Sequence, residues 1–403
     1  MTAVRTTPLG SDDPQGPVAL RHLPSLNGLR GLFTLEIFLA HAWTVADLFR
    51  SESARQKALV LVPLGMALVS WFFILSGFLL TWSARPEEPA RSFWWRRFLK
   101  IYPSHFVVWA ALALFLGITG TAVLSALDDQ GFTWGPALAN LFLVNSWLNE
   151  PHYTAGINIV CWSLVTEQFF YLLFPVLILW VRRLRPERLW LVASLMLLAV
   201  WTVPVVALQF GGEQVIGANV GKWQFWIAYF CPLSRVPEFV LGMVLARIVQ
   251  SGKSIPLGMT ASAVLLLVCQ GAAMVLLPFP FLPAAAAVVP AALLTVAAAT
   301  ADLRARRSWL RSPTLVFLGE LSFAIYLVHW PVLLVTNWLT GNRPWGTPMA
   351  LAVTLLTGAV VLLVAWLLHT RVERPMMRRF GGRAPREHPV TTPQPTPVET
   401  VAL

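Results

Sequence analysis

Ten apolar stretches divide this chain, and each is long enough to cross a bilayer as a helix. They are expected at about 29–47, 58–82, 101–126, 162–181, 189–209, 233–249, 258–278, 280–299, 314–338 and 349–370. A bilayer core has no water to satisfy backbone N–H and C=O groups, so only helices and closed barrels cross it. Uninterrupted apolar runs of about twenty residues select the helix. The expected fold is all-α: a polytopic membrane protein of about ten transmembrane helices. Composition supports this at one decisive point. Only 12% of the 403 residues are charged and 57% are hydrophobic, whereas soluble domains carry about a quarter charged residues. A sizeable soluble domain is therefore excluded.

Charge then orients the chain. With the amino terminus inside, inner loops and tails hold 23 of the 30 Lys and Arg residues, and outer loops hold five. Positive charge retained on the cytoplasmic side accounts for the net +11 without any nucleic-acid partner. Both termini are expected in the cytoplasm, with the protein in the plasma membrane. Residues 1–25, with Pro8, Pro14, Pro17 and Pro24, read as a flexible cytoplasmic arm, and they hold no apolar run of signal-peptide type. Residues 26–380 read as the transmembrane domain, and 381–403 as a disordered tail rich in Pro and Thr. The stretch 134–148 is apolar but too short to span, so it reads as an interfacial or re-entrant helix. Cys161, Cys231 and Cys269 lack metal-ligand spacing, and no metal is expected. Cys161 and Cys231 either pair near the outer face or fill space as small apolar residues, and the second is preferred.

Several stretches carry polar groups into this apolar frame. Arg30 and His41 are eleven residues apart, on one face of the first helix, roughly 16 Å apart along its axis. An ionisable residue inside a membrane is costly, which marks a functional candidate; the plainer reading is a snorkelling Arg30 and a structurally bonded His41. Ser76-Gly77 is either a helix-packing notch or a ligand contact. Arg96, Arg97 and Lys100 lie where the third helix leaves the cytoplasm, and serve either as topology charge or as a phosphate cradle. Glu167 enters the fourth helix from outside, where a carboxylate must be paired or protonated. Arg235 and Glu238 are spaced to pair on a helix, and Tyr326 and His329 share a face.

These stretches, in this order, resemble the signatures of the acyltransferase 3 family, multi-pass membrane O-acyltransferases that modify sugars, polysaccharides and some macrolides. The likeness rests on Leu26-Asn-Gly-Leu-Arg-Gly with His41, on Phe72-Phe-Ile-Leu-Ser-Gly-Phe-Leu, and on Arg96-Arg97-Phe-Leu-Lys100-Ile-Tyr-Pro. It extends through Trp162-Ser-Leu-Val-Thr-Glu, Arg235-Val-Pro-Glu and Leu318-Gly-Glu-Leu-Ser-Phe-Ala-Ile-Tyr-Leu-Val-His-Trp-Pro to Val372-Glu-Arg-Pro. Two positions depart from the family pattern: Lys100 stands where it has Arg, and Gln168 where many members have a second Glu. No appended hydrolase-like domain is expected.

The resemblance implies transfer of an acyl group, acetyl or another short one, from acyl-CoA to a hydroxyl of a glycan, sugar or macrolide-type acceptor. Arg96, Arg97, Lys100 and Ser76 are then the expected donor-binding residues. His41 is expected as general base or acyl relay, with Arg30 assisting and Glu167 orienting His41. Trp162, Ser163, Tyr171, Arg235, Glu238, Tyr326 and His329 are expected to line the substrate chamber. A transporter or flippase for a lipid-linked glycan or small acid is the alternative, since a polar track through ten helices suits it too.

Overall fold

The structure is a computed structural model that describes residues 23–44, 48–85, 88–120, 131–214, 220–341 and 343–381. Ten helices of at least 15 residues occur among them. These are α1 (Pro24–Thr44), α2 (Leu61–Trp82), α3 (Ala90–Thr119), α4 (Cys161–Arg183) and α5 (Leu189–Ala207), then α6 (Val236–Gln250), α7 (Met259–Leu276), α8 (Ala285–Leu303), α9 (Pro313–Thr340) and α10 (Thr347–Leu368). Each overlaps one of the ten apolar stretches. Eight helices are long and apolar enough to cross a membrane, and α6 with the bent segment before it makes a ninth. Helix α1 has 21 residues, about 30 Å at 1.5 Å per residue. Asn27, Arg30, Glu36 and His41 make it too polar to count with the others.

The largest shift from expectation is at α3. It begins at Ala90, so Arg91, Arg96, Arg97 and Lys100 lie on its first turns and not in a loop. Arg and Lys are good helix formers, and their long stems let the charge reach water from a helix end. Residues 121–126 of that expected span lie outside the described residues. So do residues 1–22 of the expected arm and 382–403 of the expected tail, while Pro24 and Ser25 belong to α1. The stretch 134–148 is broken into a helix at Trp134–Leu141 and a 3-10 turn at Asn145–Trp147, neither long enough to span. His105 and Trp109 of α3 hold it by donating to the carbonyls of Asn140 (3.0 Å) and Ala137 (2.7 Å). All three cysteines are free thiols, two of them buried, which fits the filler role.

Two close helix pairs build the frame. A Cβ on Gly77 would lie 1.9 Å from the carbonyl oxygen of Phe239, and one on Gly242 would lie 1.9 Å from that of Ile74. The backbones of α2 and α6 therefore touch. Helices α1 and α9 meet likewise, since a Cβ on Gly319 would lie 2.0 Å from the Asn27 carbonyl oxygen. Lipid offers no hydrophobic drive between helices, so close backbone packing replaces it. The amino end of α1 is tied to α8: the Ser25 N–H and hydroxyl donate to the Asp302 carboxylate at 2.8 and 2.6 Å, satisfying an otherwise unbonded first-turn donor.

Prolines inside two helices are compensated from neighbours. Pro331 has no N–H for the carbonyl of Leu327, and Asn158 Nδ2 donates to it instead at 3.2 Å. Pro175 frees the carbonyl of Tyr171, and Trp94 Nε1 donates to it at 3.0 Å. Both repairs obey the rule that a backbone group in an apolar medium must find a partner. They also lock α9 and α4, which carry His329 and Glu167.

Candidate active site

Helices α1, α2, α3, α4 and α9, with a π-helical turn at Trp226–Phe230, enclose a cavity of about 330 Å³. Ten of the expected site residues line it: Arg30, His41, Ser76, Lys100, Trp162, Ser163, Glu167, Tyr171, Tyr326 and His329. They come from positions up to 300 residues apart, and the α1–α9 contact through Gly31 and Gly319, with Gly28 against Leu310 just before α9, brings distant parts of the chain together.

His41 and His329 form a pair, with His41 Nδ1 3.2 Å from His329 Nε2. His329 Nδ1 is 3.2 Å from the backbone carbonyl of Ile325. A carbonyl only accepts, so His329 Nδ1 is the donor there. A neutral His329 then presents a lone pair at Nε2, which makes His41 Nδ1 the donor and leaves the lone pair of His41 on Nε2. The indole of Trp330 stands perpendicular to the His41 ring, centroids 5.5 Å apart.

Glu167 is not the partner of His41. Its Oε1 accepts from Ser76 Oγ at 3.3 Å and from the Tyr171 hydroxyl. Position 171 is one helical turn from Glu167, and α2 lies against α4, so this carboxylate is satisfied below the histidine pair. Expectation placed it by depth along the helix alone, which does not fix the direction in which a side chain points. The Tyr326 hydroxyl donates to the Val160 carbonyl and is 2.9 Å from Ser163 Oγ. This ties α9 to the start of α4.

At the other end, Arg30 donates to Asn27 Oδ1 (3.3 Å) and Ser322 Oγ (2.9 Å). Lys100 lies within electrostatic range of Arg30, Glu167 and Glu373. The expected donor cradle is split. Lys100 lines the cavity, but Arg96 is paired with Glu88 and bonded to Ser92, and Arg97 lies over the Phe93 and Tyr171 rings at 5.4 Å from each. Arg235 and Glu238 do not line the cavity either. They form a buried ion pair of 3.2 Å behind its wall, and Arg235 also donates to Ser70 Oγ at 2.8 Å. Removing charge from water is offset here by pairing and hydrogen bonding. Among the described residues no group of three His, Cys, Asp or Glu is arranged to hold a metal ion.

Two groups near the cavity carry no expectation from sequence. Among the described residues, Glu36 on α1 has both carboxylate oxygens buried and without a hydrogen-bond partner. Trp330 has a buried indole N–H with none among the same residues. The signal for Glu36 was present, as a carboxylate within an apolar span; nothing in a tryptophan's position announces an unpaired N–H.

The comparisons with known proteins fit this architecture. The acyltransferase domain family matches residues 23–370. The chain is 39% identical over 395 residues to acyltransferase MdmB of Streptomyces mycarofaciens, covering 96% of this chain and 99% of the relative. It is 25% identical over 183 residues to peptidoglycan O-acetyltransferase OatA of Listeria monocytogenes, covering 40% of this chain and 26% of that protein. No solved structure matches the chain at a significant level. The family match runs from the first described residue to just beyond α10, and so takes in every helix around the cavity: the chain belongs to the acyltransferase 3 family, and transfers acyl groups other than aminoacyl groups.

Proposed function

We propose that this protein is a plasma-membrane O-acyltransferase that moves acetyl or another short acyl group from acyl-CoA to a hydroxyl of a sugar, glycan or macrolide-type acceptor. The observation that carries the reading is the His41–His329 pair in a cavity whose opposite end holds Arg30 and Lys100. Counting α1 as the tenth span gives an even number, and the 23 to 5 charge split supports cytoplasmic termini. The basic end of the cavity then faces the compartment that contains acyl-CoA. The relative whose name gives O-acetylation of peptidoglycan supports a hydroxyl acceptor. Family membership favours transfer over the carrier alternative.

In this reading Lys100 meets the anionic part of the donor, and the thioester reaches upward along the Arg30–His41 face. His41 Nε2 takes the proton of the acceptor hydroxyl as its oxygen bonds to the thioester carbon. The tetrahedral oxyanion collapses, the C–S bond breaks, and the leaving sulfur takes the proton from His41. Protons balance, and no acyl-histidine is required. His329 accepts from Nδ1, orients the ring, and stabilises the imidazolium as it forms. The Trp330 ring stands beside His41, and its N–H, without a partner among the described residues, is the candidate for bonding the oxyanion. Glu167, bonded to Ser76 and Tyr171, holds the cavity wall between the two ends.

The test is transfer by purified protein in detergent, reading thiol release from acetyl-CoA together with the mass of acylated acceptor. Turnover without a membrane gradient is expected. Gradient-dependent flux without transfer would return the protein to the carrier class.

A further inference from the structure

The acyl-transfer reading leaves one costly group unused. Glu36 lies between Arg30 and His41 in sequence, about 140° around α1 from His41 and about 7.5 Å along the axis from it. Its carboxylate therefore flanks the donor path and does not stand on it. Both oxygens are shut off from solvent and have no hydrogen-bond partner among the described residues. The buried guanidinium of Arg235 is committed to Glu238. A carboxyl kept in such a place without a partner costs several kcal/mol in a hydrocarbon-like medium, and a leucine there would cost nothing.

Glu36 lies against Gly65, which lines the cavity. A Cβ on Gly65 would lie 3.6 and 4.0 Å from the two carboxylate oxygens and 3.6 Å from Ala40 Cβ. With no side chain at Gly65 the way is open. Glu36 also forfeits no hydrogen bond by turning toward it. Aromatic side chains line the cavity, Phe72, Phe73 and Tyr229 among them, and Tyr229 is within electrostatic range of Glu36.

Two roles suit a lone buried carboxyl: proton exchange and binding a cation. Acyl transfer from a thioester to a hydroxyl is proton-neutral, and His41 both takes and returns the one proton, so a second acid–base group has no task. A carboxylate beside aromatic faces is instead the arrangement that recognises an ammonium group, by charge-assisted hydrogen bonding and cation–π attraction. We infer that Glu36 and the adjoining aromatic wall form an acceptor subsite for a protonated amine, so that the acceptor is a hydroxyl compound bearing a basic nitrogen, such as an amino sugar. This rests on the acceptor entering the His41 cavity.

The test is binding to the purified full chain in detergent at neutral pH, read as ligand-dependent thermal stabilisation. The probes are p-nitrophenyl β-D-glucosaminide and p-nitrophenyl β-D-glucoside, which differ only in amine against hydroxyl at one carbon. Wild type is expected to bind the amine probe at least about tenfold more tightly. Glu36→Gln, which keeps shape and removes charge, is expected to bring the ratio near one with the glucoside unaffected, and Glu36→Asp to keep part of the preference. Gly65→Ala puts a methyl at ordinary contact distance and is expected to weaken the amine probe more than the glucoside. Equal affinities in wild type, an unchanged ratio in Glu36→Gln, or no saturable binding of the amine probe overturns the subsite. His41→Ala separates the two proposals: it is expected to lose transfer yet keep the amine preference. A wild type that prefers the amine but never transfers would leave Glu36 standing and remove the role given to His41.

Discussion

On the proposed mechanism, replacing His41 by glutamine separates two jobs of the imidazole, hydrogen bonding and proton transfer. Its Nδ1 is 3.2 Å from His329 Nε2, and a carboxamide N–H can make the same donation. Glutamine has no basic nitrogen to take a proton. Loss of a general base costs ~10²–10⁴-fold in rate, which is ~2.7–5.5 kcal/mol of barrier at 1.36 kcal/mol per factor of ten. Stability follows a different course. In His41→Ala the buried Nε2 of His329 loses its donor, at a cost of about 1–3 kcal/mol, whereas His41→Gln keeps the bond and stays near wild type. The assay pairs turnover with acetyl-CoA against the thermal midpoint of the same detergent preparation. Expected is equal loss of turnover in both variants, with loss of stability only in His41→Ala. Turnover in His41→Gln within about tenfold of wild type, well short of the loss a missing base brings, would show that His41 holds structure and that the proton moves elsewhere.

Lys100→Ala is expected to raise the apparent KM for acyl-CoA, whereas Arg97→Ala, stacked outside the cavity, leaves it less changed; equal effects would show that the cluster acts as one field. Trp330→Phe removes only the indole N–H and is expected to lower kcat by about 10²-fold or more with KM little altered; unchanged kcat would free that N–H from any part in the reaction. His329→Gln keeps an acceptor for His41 and a donor for Ile325, so it is expected to outperform His329→Leu in kcat, and parity between the two would remove the orienting role. Gly77→Val drives a side chain into the Phe239 carbonyl, 1.9 Å from the first added carbon, and is expected to abolish monodisperse protein; a well-folded variant would mean that α2 and α6 can part. Cysteines placed at Lys57 and at Arg306 are expected to label from opposite faces of the membrane, outside and inside respectively, and labelling from one face would overturn the ten-span topology.

The positions of the helices were legible because a bilayer leaves the backbone so few options. About twenty apolar residues must be a helix, and each of the ten stretches became one. Order along each helix was legible too, since the sequence itself sets it. Arg30 and His41, placed on one face by the helical period, do line one cavity. Azimuth was not legible, because it is set by which helix packs against which. Glu167 and His41 were expected at similar depth and so were joined, yet α4 turns Glu167 toward Ser76 of α2 and Tyr171 of its own helix. The partner of His41 is His329, 288 positions away, and the packing of α1 against α9, close at its glycines, brings it there. Those glycines were visible in the sequence; which two helices they join was not.

The same limit governs the basic cluster on α3, where it bears on the donor. Positions 96, 97 and 100 fall within a little more than one turn, so periodicity puts all three near one face. The cavity takes Lys100 alone, while Glu88 holds Arg96 and the rings of Phe93 and Tyr171 hold Arg97. The one position where this chain departs from the family's arginine is therefore the one that meets the cavity. An ammonium is a compact point charge without the fork that fits a phosphate through two bonds. Lys100 is suited to neutralise an anion near Arg30, not to fix its orientation. On the proposed function, orientation of the donor then falls to the cavity's other lining residues.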